Sequence, residues 1–354
     1  MTALPANHTA QAETGAGETI PTTMRAVVHR RYGTAEVLEI EPIAVPEPSA
    51  GQVLVQVEAA SLNALDWHFL TGTPWLIRPT SGFVRPKRIV PGADVAGTVA
   101  AVSSDVDDLR VGDAVFGEAP GGGCSPFAVV EAKHVAPIPE GVDVHAAAAT
   151  PVAGLTALQA LRAHAKTQPG EHVLVNGAAG GVGTFTVQIA KALGAEVTAV
   201  CSTRNVEMVR RLGADTVIDY TTDDFADGGA RFDVMVDNVG NRNPAECKSV
   251  LQPAGRYVAI SGPKKNRLLG PVSHIVRAAL VFRRASQSFH QFTASANRED
   301  LNHLGRLLAS GRVIPEIQST IGLDGVAEAL AEIGTGHTQA KIVVAPAQAA
   351  SASL

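Results

Sequence analysis

The chain has 354 residues, 45% of them hydrophobic, and a formal net charge of −5, which excludes a disordered chain and a disulfide-stapled miniprotein. The acidic balance provides no broad basic surface for nucleic acid, and three cysteines, Cys124, Cys201 and Cys247, are too scattered for a disulfide framework or a Cys-x-x-Cys metal site. Glycine is the outlier, with 34 residues where about 7% of the chain is usual, so tight turns and close backbone approaches are expected.

Residues 1–22 carry neither a basic start nor an apolar stretch and read as a disordered tail, not a secretory or transit peptide. From Met24 to about Ala136 the texture is strands and turns. Val53, Val55 and Val57 alternate with Gln52, Gln56 and Glu58, the pattern of a half-buried strand. Pro91-Gly92, Val111-Gly112-Asp113 and Gly121 to Gly123 punctuate the residues beyond it, as in a small barrel or rolled sheet. Cys124, inside this glycine-rich stretch, has no sequence partner for nucleophilic chemistry and reads as a turn residue.

After Pro139-Glu140-Gly141 the texture changes. His145 to Ala165 predicts a helix and His172 to Asn176 a buried strand. Gly180 to Leu193 predicts a helix with Phe185, Ile189 and Leu193 on its apolar face. Strands follow at Glu196–Cys201, Thr216–Asp219, Phe232–Asp237 and Arg256–Ile260, with helices at Val206–Leu212 and near Pro244–Leu251. Such alternation predicts a parallel, doubly wound sheet. Asn297–Ser310 reads as helix and Ala340–Val344 as a closing strand. No run approaches the ~18 apolar residues of a membrane span. Leu268 to Phe282 comes nearest, interrupted by His274 and Arg277 and flanked by basic residues. It fits a helix packed on its own protein or on a sister subunit better than one lying on a membrane.

Between the first buried strand and its helix lies Asn176-Gly-Ala-Ala-Gly-Gly-Val-Gly183. Aligned on Gly180 and Gly183, the dinucleotide fingerprint G-x-G-x-x-G has Ala178 in its first position, with Gly177 beside it. Gly180 would let the backbone approach a pyrophosphate and Gly183 would let helix and strand pack closely. Ala179, Gly181 and Val182 complete the loop at the helix N-terminus, which attracts the anion. The strand–loop–helix context supports dinucleotide binding. The second strand ends Val200-Cys-Ser-Thr-Arg-Asn205 without the acid that an NAD site uses for the ribose hydroxyl. Ser202 and Arg204 suit a 2′-phosphate instead, and Tyr220 closes the third strand beside them, so NADPH is the expected cofactor.

These segments, with Ser61-Leu-Asn-Ala-Leu-Asp66, Pro91-Gly-Ala-Asp-Val-Ala-Gly97, Thr150-Pro-Val-Ala-Gly-Leu-Thr-Ala157, Leu212-Gly-Ala-Asp215 and Asp237-Asn-Val-Gly240, make the chain resemble the medium-chain dehydrogenase/reductase superfamily. Within it the chain is similar to the zinc-independent quinone oxidoreductase branch. The resemblance implies an α/β architecture: a GroES-like β-rich catalytic domain from residues 23–150 and 293–346, and a Rossmann doubly wound parallel-sheet domain over 151–292. Zinc members place ligands where this chain reads Ser61-Leu62-Asn63, Gly92-Ala93-Asp94 and Val152-Ala153, and no His-x3-His or Glu-x-x-His spacing replaces them. No zinc is expected.

Without a metal, a quinone or α,β-unsaturated carbonyl is the easier hydride acceptor, because its charge delocalises onto an oxygen that ordinary donors can hold. The resemblance places Asn63 near the nicotinamide and the substrate carbonyl, although Asn63 alternatively only caps a turn. Asp66 reads as structural, Trp67 and Phe69 as pocket walls or core, and His68 as a proton relay or a hydrogen-bonded bystander. The resemblance further assigns to the cofactor Thr156, Asn238, Val239, Ser261, Gly262 and Lys341. It implies a cytoplasmic, homodimeric NADPH-dependent oxidoreductase. The alternatives are an enoyl or alkenal reductase of a biosynthetic pathway, or an NADPH-binding scaffold or sensor without turnover. The segment Leu268 to Phe282 is expected to form a lid over the cleft or part of a dimer contact.

Overall fold

The structure is a computed structural model and describes residues 20–262 and 272–346. Most of residues 1–22, the expected tail, lies outside the described residues. The last three of them belong to the fold: Ile20 packs on the cluster around Met24 and Leu54, and the Thr22 carbonyl accepts from Val45 N–H at 3.1 Å.

The strands Thr216–Asp219, Glu196–Cys201, His172–Asn176, Phe232–Asp237, Leu251–Ala259 and Ser288–Gln291 lie in that spatial order in one sheet, and every adjacent pair is parallel. This is the doubly wound order, and the direction of winding reverses between His172–Asn176 and Phe232–Asp237, where a crevice opens at the strand carboxyl ends. Val173, Leu174 and Val175 are fully buried, as a strand covered on both faces requires.

A second sheet runs Ile317–Ile321, Lys341–Val344, Gln52–Leu62, Asp94–Val102, Ala114–Glu118, Val135–Pro137, with Phe127–Glu131 also pairing Gln52–Leu62. Both ends of the chain therefore meet in it: Ile342 faces Leu62 and Val344 faces Ala60 across the ladder. Along Gln52–Leu62 the valines Val53, Val55 and Val57 are buried while Gln56 and Glu58 are exposed, which is the alternation of a strand with one wet face. Thr23–Val28 and Glu39–Ala44 form a separate antiparallel pair.

Between the sheets lies the helix Pro151–Gln159, buried on nearly every side. The stretch His145–Ala165 is thus not one helix. It breaks after Val144–Ala148, because Pro151 has no N–H to continue the ladder and instead sits at a helix N-terminus. Its last turn, Ala160–His164, widens to a π-helical turn. Arg298–Ala309 packs against the same region, capped by Asn297, whose side chain accepts from Asp300 N–H at 2.8 Å. Elements that the sequence pattern does not announce are the strands Ile317–Ile321 and Ser288–Gln291 and the helix Val326–Thr335.

Within the expected Leu268–Phe282 segment, residues 268–271 lie outside the described residues, and Val272–Phe282 is a helix. His274, Ala278 and Phe282 are its buried face, and the Phe282 ring stacks on Tyr257 at 5.7 Å. Val276 and Leu280 point outward. This helix packs on its own sheet. Among the described residues no helix is long and apolar enough to cross a membrane.

Candidate functional site

The crevice at the strand carboxyl ends widens into a cleft of about 1260 Å³, lined by both sheets. Its floor is the turn between His172–Asn176 and the helix Gly181–Ala192. Gly177 takes the left-handed φ of +76°, and a Cβ there would lie 2.5 Å from Val239 Cγ2. The tight turn that the fingerprint assigns to its first glycine thus falls one residue earlier, and Ala178 fits as a buried residue. Gly183 meets its packing constraint: a Cβ would stand 2.1 Å from the Gly177 carbonyl oxygen. At Gly180 an added Cβ would meet only that same oxygen, at 3.8 Å, so the space above it is open. Gly180 occupies the N-cap position and precedes twelve helical residues, whose unsatisfied N–H groups and dipole make a cradle suited to a pyrophosphate. Ala179, Gly181 and Val182 line the same opening.

At the far end the second strand gives way to Ser202 and the short turn Thr203–Asn205. Ser202, Arg204 and Tyr220 line the cleft there. Tyr220 is half exposed and is held by its N–H to the Cys201 carbonyl at 3.0 Å. The Arg204 guanidinium donates to the His337 carbonyl at 2.6 Å, so one of its five donors anchors it to the opposite wall. On the switch-point side, Asn238 Nδ2 donates to the Asn176 carbonyl at 3.1 Å, and its Oδ1 is buried without a hydrogen-bond partner. An acceptor stranded in a crevice wall needs a donor from outside the chain. The glycine cradle, the stranded acceptor and the polar far end together fit a dinucleotide.

Thr156, Val239 and Ser261 line the cleft. Gly262, the next residue, is not among those lining it. It backs the wall from behind, where its Cα would lie 2.5 Å from a Cβ placed on Gly240.

At the inner end are Asn63, His68 and Lys341. Asn63 is the N-cap of the helix Ala64–Thr71, and its backbone N–H donates to Asp66 Oδ2 at 2.8 Å. Its side chain does more than cap. Nδ2 donates to Asp94 Oδ2 at 2.8 Å, while Oδ1 accepts from Lys341 Nζ. Lys341 also donates to Asp94 Oδ2 at 3.0 Å and to the Leu62 carbonyl at 3.2 Å, which occupies all three ammonium hydrogens. Its stem covers the cradle: Cδ would be 3.2 Å from a Cβ on Gly181. Asp94, wholly buried, accepts as well from Ser61 Oγ at 2.6 Å and from Val152 N–H at 2.8 Å. Asp66 is buried beside them and accepts from Gly92 N–H at 2.8 Å. Burial pushes its carboxyl up to about 6 against the pull of those backbone donors. His68 Nδ1 lies 2.6 Å from the Thr73 carbonyl, so it carries the ring proton and donates it there.

The three segments where zinc relatives carry ligands do converge, but on Asp94, which already accepts from Ser61, Asn63, Val152 and Lys341. The cation at this place is the lysine's own ammonium. A serine, an amide and one saturated carboxylate beside a fixed positive charge do not fit zinc, which takes Cys, His and carboxylate donors. Asp94 is the residue that sequence reasoning missed as a site member. It stood in the sequence only as the position of a lost metal ligand, and its partner Lys341 lies 247 residues away.

Residues 49–140 match the alcohol dehydrogenase GroES-like domain family, and residues 212–344 match the zinc-binding dehydrogenase family. The chain is 32% identical to the chloroplastic quinone-oxidoreductase QR1 of Triphysaria versicolor over 91% of its own length and 98% of that protein. It is also 32% identical to the chloroplastic NADPH-dependent alkenal/one oxidoreductase of Arabidopsis thaliana, covering 94% of this chain and 82% of that one. Among solved structures, the quinone oxidoreductase of Coxiella burnetii superposes with a TM-score of 0.80 at 28% identity, over 91% of this chain and 99% of that one. With its glycine cradle, its two sheets and these relatives, the chain belongs to the medium-chain dehydrogenase/reductase superfamily of nicotinamide-dependent oxidoreductases, in the quinone oxidoreductase-like branch.

Proposed function

We propose that the protein is an NADPH-dependent reductase of quinones or α,β-unsaturated carbonyls that works without a metal. The observation that carries this reading is the inner end of the cleft, where a hydrogen-bonded amide and a lysine–aspartate pair occupy the place of a metal centre. The bound cofactor supplies a hydride. The chain's part is to orient the acceptor against the cradle and to meet the charge that develops on its oxygen. A simple ketone would develop a localised alkoxide and demand a strong acid beside it. A conjugated carbonyl spreads that charge, and a neutral amide N–H is a sufficient partner. Asn63 is placed for this: Nδ2 has one hydrogen on Asp94, and the second has no acceptor among the described residues. The relatives named as quinone and alkenal/one oxidoreductases support the same chemistry.

NADPH over NADH is supported by Ser202 and Arg204 at the end of the second strand, by the lack of an acid there, and by the cofactor in the Arabidopsis relative's name. The test is NADPH consumption against a panel of quinones, enones and enals, with product analysis. Reduction of the C=C bond or of the quinone is expected. Carbonyl reduction to an allylic alcohol, or cofactor binding with no turnover across the panel, would reject the reading.

A further inference from the structure

Lys341 and Asp94 form a buried pair, 2% and 0% exposed at their side chains, directly behind the amide that meets the substrate oxygen. A buried charge pair is weak evidence for stability, since removing two charges from water costs as much as their attraction returns. Its arrangement here is better explained by what it does to Asn63. A side-chain amide has two orientations of similar shape that exchange its oxygen and nitrogen. In one of them Asn63 would present a carbonyl oxygen where the other presents an N–H, and a developing oxyanion would be repelled. The ammonium of Lys341 is a donor only, and the Asp94 carboxylate is an acceptor only. With Lys341 on Oδ1 and Asp94 on Nδ2, the flipped amide would set a carbonyl against a carboxylate and an N–H against an ammonium. Both contacts would be repulsive in a dry site.

The pair is closed on itself, because Lys341 Nζ also meets Asp94 Oδ2 at 3.0 Å. Amide, ammonium and carboxylate thus make a ring of hydrogen bonds, and along its path from Lys341 through the Asn63 amide to Asp94 the first bond polarises the second. A positive charge on the amide oxygen draws electron density from Nδ2 and strengthens its remaining N–H as a donor. Ser61 Oγ and Val152 N–H hold the carboxylate from the other side, at 2.6 Å and 2.8 Å, so the ring cannot swing away.

We propose that Lys341 and Asp94 are the positioning residues of the reaction: they lock the Asn63 amide with one Nδ2 hydrogen facing the substrate oxygen. This deepens the function proposed above and rests on it for the identity of that oxygen. The test therefore includes a measurement that needs no turnover. para-Nitrophenolate, an oxyanion whose absorbance reports its ionisation, is titrated into the NADP-loaded protein. The variants are Asn63→Ala, the charge-neutral pair Lys341→Met with Asp94→Asn, and the three changes combined. The neutral pair avoids leaving one buried charge unpartnered, and its melting temperature confirms folding. Asn63→Ala and the neutral pair are each expected to weaken phenolate binding at least tenfold, measured with NADP saturating for each variant. The combined variant is expected to be no weaker than Asn63→Ala alone, because a positioning pair has nothing left to position. Losses that simply add, or a neutral pair that binds phenolate like the wild type, would overturn the proposal. In enone turnover at saturating NADPH the neutral pair should lower kcat. A protein that reduces none of the panel but shows the non-additive phenolate cycle loses the proposed substrate class and keeps the locked amide.

Discussion

Arg204 lines the far end of the cleft, where the proposed preference for NADPH can be tested. Its anchor on the His337 carbonyl aims the side chain along the cleft wall, and charge-assisted hydrogen bonds contribute about 1.5–3 kcal/mol each. Arg204→Ala should therefore weaken NADPH binding roughly 10- to 100-fold and leave NADH binding nearly unchanged, as read by cofactor titration. Equal losses for both cofactors would assign Arg204 to the wall alone. Glu118 makes a separate prediction. Burial, and then the Asp94 carboxylate opposite it on the neighbouring strand, push Glu118 up to about 7. An unfolded glutamate releases its proton near about pH 4.3, so between those values the folded chain holds the extra proton, and stability falls as pH rises through that window. Glu118 makes no side-chain hydrogen bond among the described residues. Glu118→Gln should raise stability in denaturant titrations at pH 8, on the order of 1–2 kcal/mol after allowing for solvent screening, and the gain should shrink towards pH 4.5. A gain that is the same at both ends would show that ionisation of Glu118 is not its source. Asn63 is legible at this scale because a family motif surrounds it. The lysine–aspartate ring is not, because neither residue's local spacing says that Lys341 will reach across to Asp94.

The cofactor loop separates two demands that one sequence pattern mixes. At Gly183 the obstacle to a side chain is the protein's own backbone, 2.1 Å away at the Gly177 carbonyl. At Gly180 the protein leaves room, and the obstacle would be the ligand. Gly183→Ala should lower the melting temperature of the cofactor-free protein, since backbone must shift to admit the methyl. Gly180→Ala should melt near the wild type yet bind NADPH at least tenfold more weakly. An unchanged NADPH affinity in Gly180→Ala would remove the pyrophosphate from this loop. Most strands of the parallel sheet are readable because their apolar runs are bounded by turn residues: His172–Asn176, Glu196–Cys201, Thr216–Asp219 and Phe232–Asp237 fall where the pattern puts them. The sixth strand, Ser-Phe-His-Gln291, is short and polar at an edge, and its hydrogen bonds to Leu251–Ala259, not its composition, make it a strand. The strand expected at Arg256–Ile260 begins earlier, at Leu251, for the same reason. Its first residues, Gln252-Pro-Ala-Gly255, look like a turn, and only pairing of Leu251 with Phe232 extends the strand to them.

At the scale of the molecule, the two sheets are joined through a shared core. One apolar cluster contains Ala96 and Phe116 of the barrel-like sheet, Val173 and Val236 of the parallel sheet, and Leu301 and Leu304 of the helix Arg298–Ala309. Polar ties cross the same boundary. Gln159 Nε2 donates to Asp300 at 2.9 Å, Gln188 Nε2 to the Ile314 carbonyl at 3.0 Å, and Ala340 N–H to the Ala179 carbonyl at 2.8 Å. The last of these joins the cofactor loop to the residue preceding Lys341, so the strand that carries the lysine and the loop that cradles the pyrophosphate are hydrogen-bonded neighbours. Two lobes sharing a core and a binding loop should lose both together. Calorimetry is expected to show one unfolding transition, with its van't Hoff enthalpy close to the calorimetric value. NADPH at a hundred times its Kd should move that single transition upward by the linkage of about 2.7 kcal/mol, without splitting it. Two resolved transitions, only the later of which moves with NADPH, would mean that the parallel sheet folds alone, and the loop–lysine junction would then be a contact of the native state that contributes nothing to its cooperativity.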